Sequence, residues 1–148
     1  MRVLVTCTGN TCRSPMAAGL LKAIAESRGL LVEVRSAGLT PHPGQRAAHN
    51  AVTTMAEIGV DISQEFSKPV TPDILQWADL ILAIQRSHAD HLVEDFPQIA
   101  SKVRFLGVHV RDPYCGTVPD YREVRDIINR LLLRFIDSGG LLDKGPAR

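Results

Sequence analysis

Near its N-terminus the chain contains the stretch Cys7-Thr8-Gly9-Asn10-Thr11-Cys12-Arg13-Ser14. The residues before it, Arg2–Thr6, are mostly apolar and rich in β-branched types, which is typical of a buried strand. The residues after it predict a helix, because Pro15 suits a first helical turn and Met16–Ala25 is rich in helix formers. The stretch is therefore predicted to be a loop that ends at the N-terminus of a helix.

Such a loop favours a bound anion, because unpaired N–H groups and the positive end of the helix dipole meet there. The same field stabilises a thiolate, and Arg13 adds a full positive charge, so we expect Cys7 to react as a thiolate nucleophile. The planar guanidinium of Arg13 can bind two equatorial oxygens of a phosphoryl group at once, which lysine cannot do. Cys7 and Arg13 are therefore predicted to be catalytic.

The remaining loop residues are predicted to surround the phosphoryl group. Gly9 lets the backbone approach the ligand closely, and Asn10 tolerates a left-handed conformation that turns successive N–H groups inward. Ser14 is suited to donate a hydrogen bond to the thiolate. An alternative role for Cys7 is that of a small buried apolar residue at a strand end, which the surrounding pattern disfavours. The predicted substrate-binding residues in this loop are Thr8, Gly9, Asn10, Thr11, Cys12 and Ser14.

From Cys7 to Pro15 the chain resembles the signature of the low-molecular-weight protein tyrosine phosphatases, in which a cysteine forms a phosphocysteine intermediate. The resemblance extends to weaker segments along nearly the whole chain, including Ser36-Ala37-Gly38. In that family a serine at the position of Ser36 helps to hold the loop asparagine, so the resemblance implies a supporting role for Ser36. It also implies phosphorylated proteins as substrates and inorganic phosphate as a product, with no cofactor and no metal.

The resemblance also implies a general acid, since the leaving group needs a proton. The sequence Asp112-Pro113-Tyr114 is by itself typical of an ordinary turn. The family, however, places its acid in an Asp-Pro-aromatic motif near its C-terminus. Asp112 is therefore expected to protonate the leaving group and then to activate water against phosphocysteine, and Tyr114 is expected to contact the substrate.

Along the chain, apolar strand patterns alternate with helix patterns, which indicates a parallel sheet with helices on both faces. The prediction is an α/β fold in three layers, α/β/α, with a central four-stranded parallel sheet and the phosphate-binding loop after its first strand. Ligands bind at the carboxyl ends of strands in such sheets, where Cys7 lies. The later predicted strands are 31–36, 79–84 and 103–106, and the later predicted helices are 45–58, 72–77, 87–95 and 120–136.

The size and charge of the chain set limits on its function. Its 148 residues are predicted to form a single domain, 1–148, with a loose tail from 138 to 148. Seventeen basic and 16 acidic residues leave a net charge of +1, which gives no overall attraction to nucleic acid or to membranes. No apolar run approaches the roughly 20 residues of a membrane span. Three cysteines make no disulfide framework, and a catalytic thiolate favours the cytoplasm.

Two departures from the common family pattern bear on the substrate. Thr11 replaces the usual isoleucine, and Tyr114 is followed by Cys115 and Gly116 where many members have a second tyrosine. The loop looks closest to the branch of the family that dephosphorylates phosphoarginine in proteins. A threonine hydroxyl can hydrogen-bond to a polar guanidinium, whereas isoleucine offers an apolar wall that suits a phenyl ring. The alternative is phosphotyrosine with Thr11 as a near-neutral change, since one methyl group changes discrimination by about 1–3 kcal/mol.

Other classes of protein are disfavoured. Thioredoxin-coupled arsenate reductases share the fold and the loop but use two further cysteines, usually as a close pair on a separate segment, and this chain has no such pair. A phosphate-binding module without catalysis does not need a nucleophile, an arginine and an acid together. Two alternatives are open for Cys12 and Cys115. One of them forms a disulfide with an oxidised Cys7, or neither has a redox role.

Several histidines have no assigned chemistry. His88 and His91 are predicted to be solvated residues of a surface helix, with no metal bound. His42, Gln45 and Arg46 are candidates either for the substrate entrance or for plain surface.

Overall fold

A parallel sheet forms the centre of the fold. The computed structural model describes residues 1–107 and 110–141, and its four strands are β1 (Arg2–Cys7), β2 (Glu33–Gly38), β3 (Leu80–Gln85) and β4 (Val103–Gly107). They lie in the order β2-β1-β3-β4, and each neighbouring pair is parallel. The predicted parallel α/β sheet is confirmed.

Helices cover both faces of this sheet. They are α1 (Arg13–Ser27), α2 (His49–Ala56), α3 (Pro72–Trp77), α4 (Arg86–Asp95) and α5 (Val118–Asp137), with a 3₁₀ turn at Pro97–Lys102. Val3 and Val5 of β1 share one apolar core with α1, α2 and α5. Leu4 points to the other face and packs with α3 and α4. Since side chains alternate along a strand, β1 separates two buried cores, and the fold has the predicted three layers.

The second strand begins later than predicted. Leu31 is 91 % exposed and precedes the sheet, whereas β2 pairs with β1 from Glu33, opposite Arg2, to Gly38, opposite Cys7. The apolar character of Leu31 suggested an earlier start, but pairing with β1 fixes the strand ends. Both strands consequently end at the same edge of the sheet, beside the predicted loop.

The helix predicted over 45–58 is also shorter than expected. The α2 helix covers only His49–Ala56, because Arg46 forms an antiparallel bridge with Phe66 and the Ala47 N–H donates to the Glu65 carbonyl. Pairing with a distant segment therefore replaces the first helical turn. This bridge places residues 42–48 next to the edge where β1 and β2 end.

The C-terminal prediction is only partly within the described residues. Leu141 is buried in the same core as the apolar face of α5, whereas a loose tail was predicted from residue 138. Residues 142–148 of that predicted tail lie outside the described part of the chain. Within 1–107 and 110–141, no helix combines the length and the apolar character that crossing a bilayer requires.

Candidate active site

The loop after β1 surrounds a cavity of about 260 Å³ at the carboxyl end of the sheet. Residues 7–13 line this cavity together with Thr40, His42, Gln45, Asp112 and Tyr114. The structure thus brings the predicted nucleophile, arginine and acid to one cavity, although Cys7 and Asp112 are far apart in the sequence. Of the predicted substrate-binding residues, Ser14 does not line the cavity and lies behind Cys7 instead.

Cys7 lies on the floor of the cavity and is 2 % exposed. Its Sγ is 3.0 Å from Ser14 Oγ, and the Asn10 Nδ2 donates to the same oxygen at 2.8 Å. Because Asn10 occupies an acceptor position of this hydroxyl, the Ser14 proton is available for the sulfur when Cys7 loses its own proton. The Ser14 hydroxyl is therefore placed to stabilise a thiolate.

Asn10 holds the loop in shape. Its φ of 58° lies in the left-handed region, as predicted. The Nδ2 donates to Ser36 Oγ at 3.0 Å, and the Oδ1 accepts from the Lys68 N–H at 3.0 Å. Asn10 therefore connects the loop to β2 and to the segment after Phe66.

Gly38, at the end of β2, lets this loop approach the sheet. A Cβ on Gly38 would lie 2.8 Å from the Thr8 carbonyl oxygen and 3.0 Å from the Asn10 Cβ. Contacts this short require the backbone to shift, so only glycine fits here without displacing the loop. The end of β2 thus contributes to the site because Gly38 has no side chain that would displace the loop.

Arg13 is a buried cation beside the cavity, 4 % exposed. Its Nη1 donates to the Val110 carbonyl at 3.0 Å and to Gln85 Oε1 at 3.2 Å. Its Nη2 lies 3.5 Å from Asp112 Oδ2, on a side chain that is half exposed. Neutral oxygens thus hold the guanidinium in place, and a solvated carboxylate offsets its charge only weakly, which suits a site for an incoming anion.

Gln85 is not among the predicted site residues, although the sequence contains a signal for it. Gln85 is the last residue of β3, and β3 pairs with β1. Polar residues at the carboxyl ends of adjacent parallel strands are expected near a shared ligand site. The position of Gln85 directly after the strand predicted over 79–84 was therefore the available signal.

Asp112 lies on a loop that is held at several points. Its Oδ1 accepts from the Tyr114 N–H at 3.0 Å, and Asn50 Nδ2 donates to the Gly116 carbonyl at 3.0 Å. Next along the chain, Thr117 and Asp120 form a reciprocal capping box that starts α5. The carboxylate therefore faces the cavity from a loop anchored to α2 and α5.

Cys12 is buried on the side of the loop that faces α5. Its Sγ is 3.2 Å from the Tyr121 Oη, a contact that sequence analysis did not anticipate. Burial raises the pKa of the Cys12 thiol, and burial also raises the pKa of Tyr121. Both groups are therefore neutral near pH 7, and Cys12 is a protonated thiol beside Cys7.

The turn before α2, which we call the entrance turn after one of its two predicted roles, contributes to the wall of the cavity. His42 and Gln45 line the cavity, whereas Arg46 lies over the Phe66 ring at 5.4 Å from its centroid. The buried Ser67 hydroxyl donates to the His42 carbonyl and accepts from the Gln45 N–H. The segment that holds Asn10 thus also holds the entrance turn.

The prediction that His88 is solvated is wrong. His88 is 4 % exposed, and its Nε2 is 3.2 Å from the Thr8 Oγ1 in the loop. His91 is exposed as predicted and pairs with Asp95 at 3.1 Å. Ala89 and Leu92 are buried on the same face of α4 as His88, and this helical spacing was the signal that His88 points inward. Across the described residues, no group of three or more His, Cys, Asp or Glu side chains is arranged to hold a metal ion.

The buried His88 predicts a pH-dependent stability. Burial, with a further contribution from the Arg13 charge, lowers the pKa of His88 from 6.5 to about 4. Between these values the unfolded chain binds more protons than the folded chain, so the free energy of unfolding falls as the pH falls through this window. We expect a loss of about 3 kcal/mol from this residue, measured as the difference between the wild-type protein and His88→Gln in denaturant titrations.

The His91→Gln variant, which removes an exposed histidine from the same helix, serves as the control. It removes a histidine side chain without changing the buried site, so a change of slope that appears only in His88→Gln is specific to the buried ring. Equal slopes in the wild-type protein and in His88→Gln between pH 6.5 and about 4 would contradict this assignment.

A parallel α/β sheet with a cysteine and an arginine around a cavity at its carboxyl end is typical of a phosphate-binding enzyme with a cysteine nucleophile. Residues 2–141 match the profile of the low molecular weight phosphotyrosine protein phosphatase family. The chain belongs to this family.

Individual relatives agree with the family assignment. The chain is 39 % identical to a protein-arginine-phosphatase of Bacillus subtilis, over 89 % of this chain and 92 % of the relative. It is 36 % identical to an arsenate reductase of Brevibacillus brevis, over 90 % of this chain and 92 % of the relative. A solved structure of the YwlE arginine phosphatase, a cysteine-to-serine mutant with a phosphorylated active-site serine, superimposes with a TM-score of 0.89 at 35 % identity. That match covers 95 % of this chain and 96 % of the solved one.

Proposed function

We propose that this protein hydrolyses phosphoryl groups on protein side chains, with phosphoarginine as the preferred substrate, through a phosphocysteine formed on Cys7. One observation carries the proposal: Cys7 Sγ lies at the floor of a cavity that Arg13 and Asp112 also line. The three groups that a cysteine phosphatase needs, namely a nucleophile, a cation for the equatorial oxygens and an acid, thus face one volume.

In the first step the Cys7 thiolate attacks phosphorus. The bond between phosphorus and the leaving nitrogen or oxygen breaks while Asp112 transfers a proton to that atom. The loop N–H groups and the Arg13 guanidinium bind the equatorial oxygens, whose charge they stabilise in the transition state. Ser14 and Asn10 support the nucleophile through their hydrogen bonds, and Ser36 supports Asn10.

In the second step water hydrolyses the phosphocysteine. Asp112, now a carboxylate, takes a proton from the water as its oxygen attacks phosphorus. The bond between sulfur and phosphorus breaks, inorganic phosphate leaves, and the Cys7 thiolate is restored. Both steps use side chains of this chain alone, so we propose a reaction without metal or cofactor, in the reducing environment of the cytoplasm.

The preference for phosphoarginine is supported by the polar character of the cavity wall. Thr11 lines the cavity where a hydroxyl can contact a polar group. The Asp112 side chain is half exposed at the cavity, where its protonated form can donate to the leaving nitrogen of a phosphoguanidine. Tyr114 is 69 % exposed at the rim, where its ring can pack on an arginine side chain. The similarity of this chain to a protein of Bacillus subtilis named as a protein-arginine-phosphatase supports the same substrate.

The substrate preference predicts the effect of a change at Thr11. In Thr11→Ile we expect kcat/KM for a phosphoarginine peptide to fall and kcat/KM for the matched phosphotyrosine peptide to rise. The added bulk crowds a guanidinium and supplies an apolar wall for a phenyl ring. We expect the ratio of the two constants to change by about tenfold to a hundredfold, the usual range for one apolar group in a pocket.

The control for this experiment is Thr11→Val, which removes the hydroxyl with little change in size. A loss of phosphoarginine activity in Thr11→Val attributes selectivity to the hydroxyl, whereas a loss confined to Thr11→Ile attributes it to bulk. A wild-type preference for phosphotyrosine would contradict the phosphoarginine assignment and favour a tyrosine phosphatase.

Arsenate reduction is a further activity for which a relative of this chain is named. The cysteines here are Cys7, Cys12 and Cys115, so a close pair outside the loop is missing from the sequence. Cys12 is buried against Tyr121 rather than exposed to a reductant. We therefore favour the phosphatase, and turnover of arsenate with thioredoxin in the absence of phosphatase activity would contradict it.

A further inference from the structure

His88 is a buried histidine that the proposed mechanism does not use. It lies on α4, outside the loop, yet its Nε2 is 3.2 Å from the Thr8 Oγ1. Its Nδ1 is also buried and has no hydrogen-bond partner among the described residues. With its pKa lowered by burial and by the Arg13 charge, His88 is neutral near pH 7, so one of its nitrogens carries a proton and the other a lone pair.

The surroundings of the ring decide which nitrogen carries the proton. A buried N–H without a partner is rarer in proteins than a buried acceptor without one. The unpartnered Nδ1 is therefore the nitrogen with the lone pair, and Nε2 carries the proton. It follows that His88 donates to Thr8 Oγ1.

Thr8 receives a second donor from the loop itself. Arg13 Nη2 lies 3.5 Å from the same Oγ1, and a guanidinium has only N–H donors. A hydroxyl accepts two hydrogen bonds and donates one. With His88 and Arg13 at its two acceptor positions, the Thr8 hydroxyl proton has to point away from both, and Thr8 is an exposed residue lining the cavity.

We propose that His88 is a positioning residue that orients the Thr8 hydroxyl to donate a hydrogen bond to an oxygen of the bound phosphoryl group. The inference rests on the proposed function and deepens it, because it adds an oriented side-chain donor to the N–H groups of the loop. Through His88, α4 would then contribute to anion binding, although no residue of α4 lines the cavity.

The test uses tungstate, a tetrahedral oxyanion, and measures its Kd by calorimetry, so that binding is followed without turnover. Thr8→Val should raise the Kd about tenfold, the effect of one hydrogen bond to a charged group. His88→Leu should raise it by a similar factor, and the double variant should bind no more weakly than Thr8→Val alone. His88→Gln, which keeps an N–H donor near the position of Nε2, should restore most of the binding.

The matched control is His91→Leu, since His91 is an exposed histidine on the same helix. It should bind tungstate as the wild-type protein does. A purely structural role of His88 would lower the Tm of His88→Leu but leave the Kd of the folded fraction unchanged, and it would give additive effects in the double variant. Either result would overturn the inference.

Thr8→Val decides the question even where His88→Leu fails to fold, because an unchanged Kd in Thr8→Val also overturns the inference. The wild-type protein tests the proposed function separately. A wild-type protein that binds tungstate but hydrolyses neither phosphopeptide would contradict the proposed function, while coupled losses of tungstate binding would still support the inference.

Discussion

Replacement of Cys7 by serine is expected to lower kcat for phosphopeptide hydrolysis by at least about 10⁴-fold. A hydroxyl at this position holds its proton at neutral pH, so the attacking anion is lost while the rest of the cavity remains. In the wild-type protein Ser14 contacts the sulfur and Asn10 holds Ser14. In the variant these hydrogen bonds have no thiolate to stabilise. The measurement is single-turnover hydrolysis of a phosphoarginine peptide by the reduced protein.

Cys115→Ser provides the control for this variant. Cys115 is exposed and does not line the cavity, so its replacement should leave kcat near the wild-type value. Cys7→Ser should still bind tungstate, because the loop N–H groups and Arg13 are unchanged. Substantial turnover by Cys7→Ser would contradict the assignment of Cys7 as the nucleophile.

Replacement of Asp112 by asparagine is expected to lower kcat for a phosphoarginine peptide by about 10²–10⁴-fold, the usual contribution of a general acid. The effect should depend on the leaving group. A guanidine nitrogen is a poor leaving group without a proton, whereas the p-nitrophenolate ion leaves readily without one. Asp112→Asn should therefore lose much less activity towards p-nitrophenyl phosphate than towards phosphoarginine.

Asp90→Asn is the matched control, because Asp90 is an exposed carboxylate of α4 outside the cavity. It should hydrolyse both substrates at the wild-type rate. Equal losses with both substrates in Asp112→Asn would indicate that Asp112 shapes the site through its contact with Arg13, and would contradict its assignment as the proton donor.

The sequence contained the parts of the site that are encoded locally. The loop from Cys7 to Ser14 has a strand before it and a helix after it, and the alternation of such patterns is sufficient to predict a parallel sheet with Cys7 at its carboxyl end. Asp112 could not be assigned as the acid from its local sequence, because Asp-Pro is common in ordinary turns. Only the resemblance to the family singled it out.

The parts that were not predicted depend on contacts between distant segments. Gln85, Tyr121 and His88 reach the loop from β3, α5 and α4, and no local pattern specifies which loop residue each of them contacts. The spacing of His88 with Ala89 and Leu92 did indicate a buried face, but not its contact with Thr8. Tertiary pairing likewise replaced the first turn of the helix predicted from residue 45, where Arg46 bridges to Phe66.

The most direct test of the central claim is to trap the covalent intermediate. The reduced wild-type protein is mixed with a phosphoarginine peptide, quenched with denaturant at alkaline pH within the first turnover, digested and analysed by mass spectrometry. We expect one phosphoryl group on the peptide that contains Cys7, formed in the burst and lost as inorganic phosphate appears. Full turnover with the phosphoryl group on another residue, or with Cys7 unmodified throughout, would contradict it.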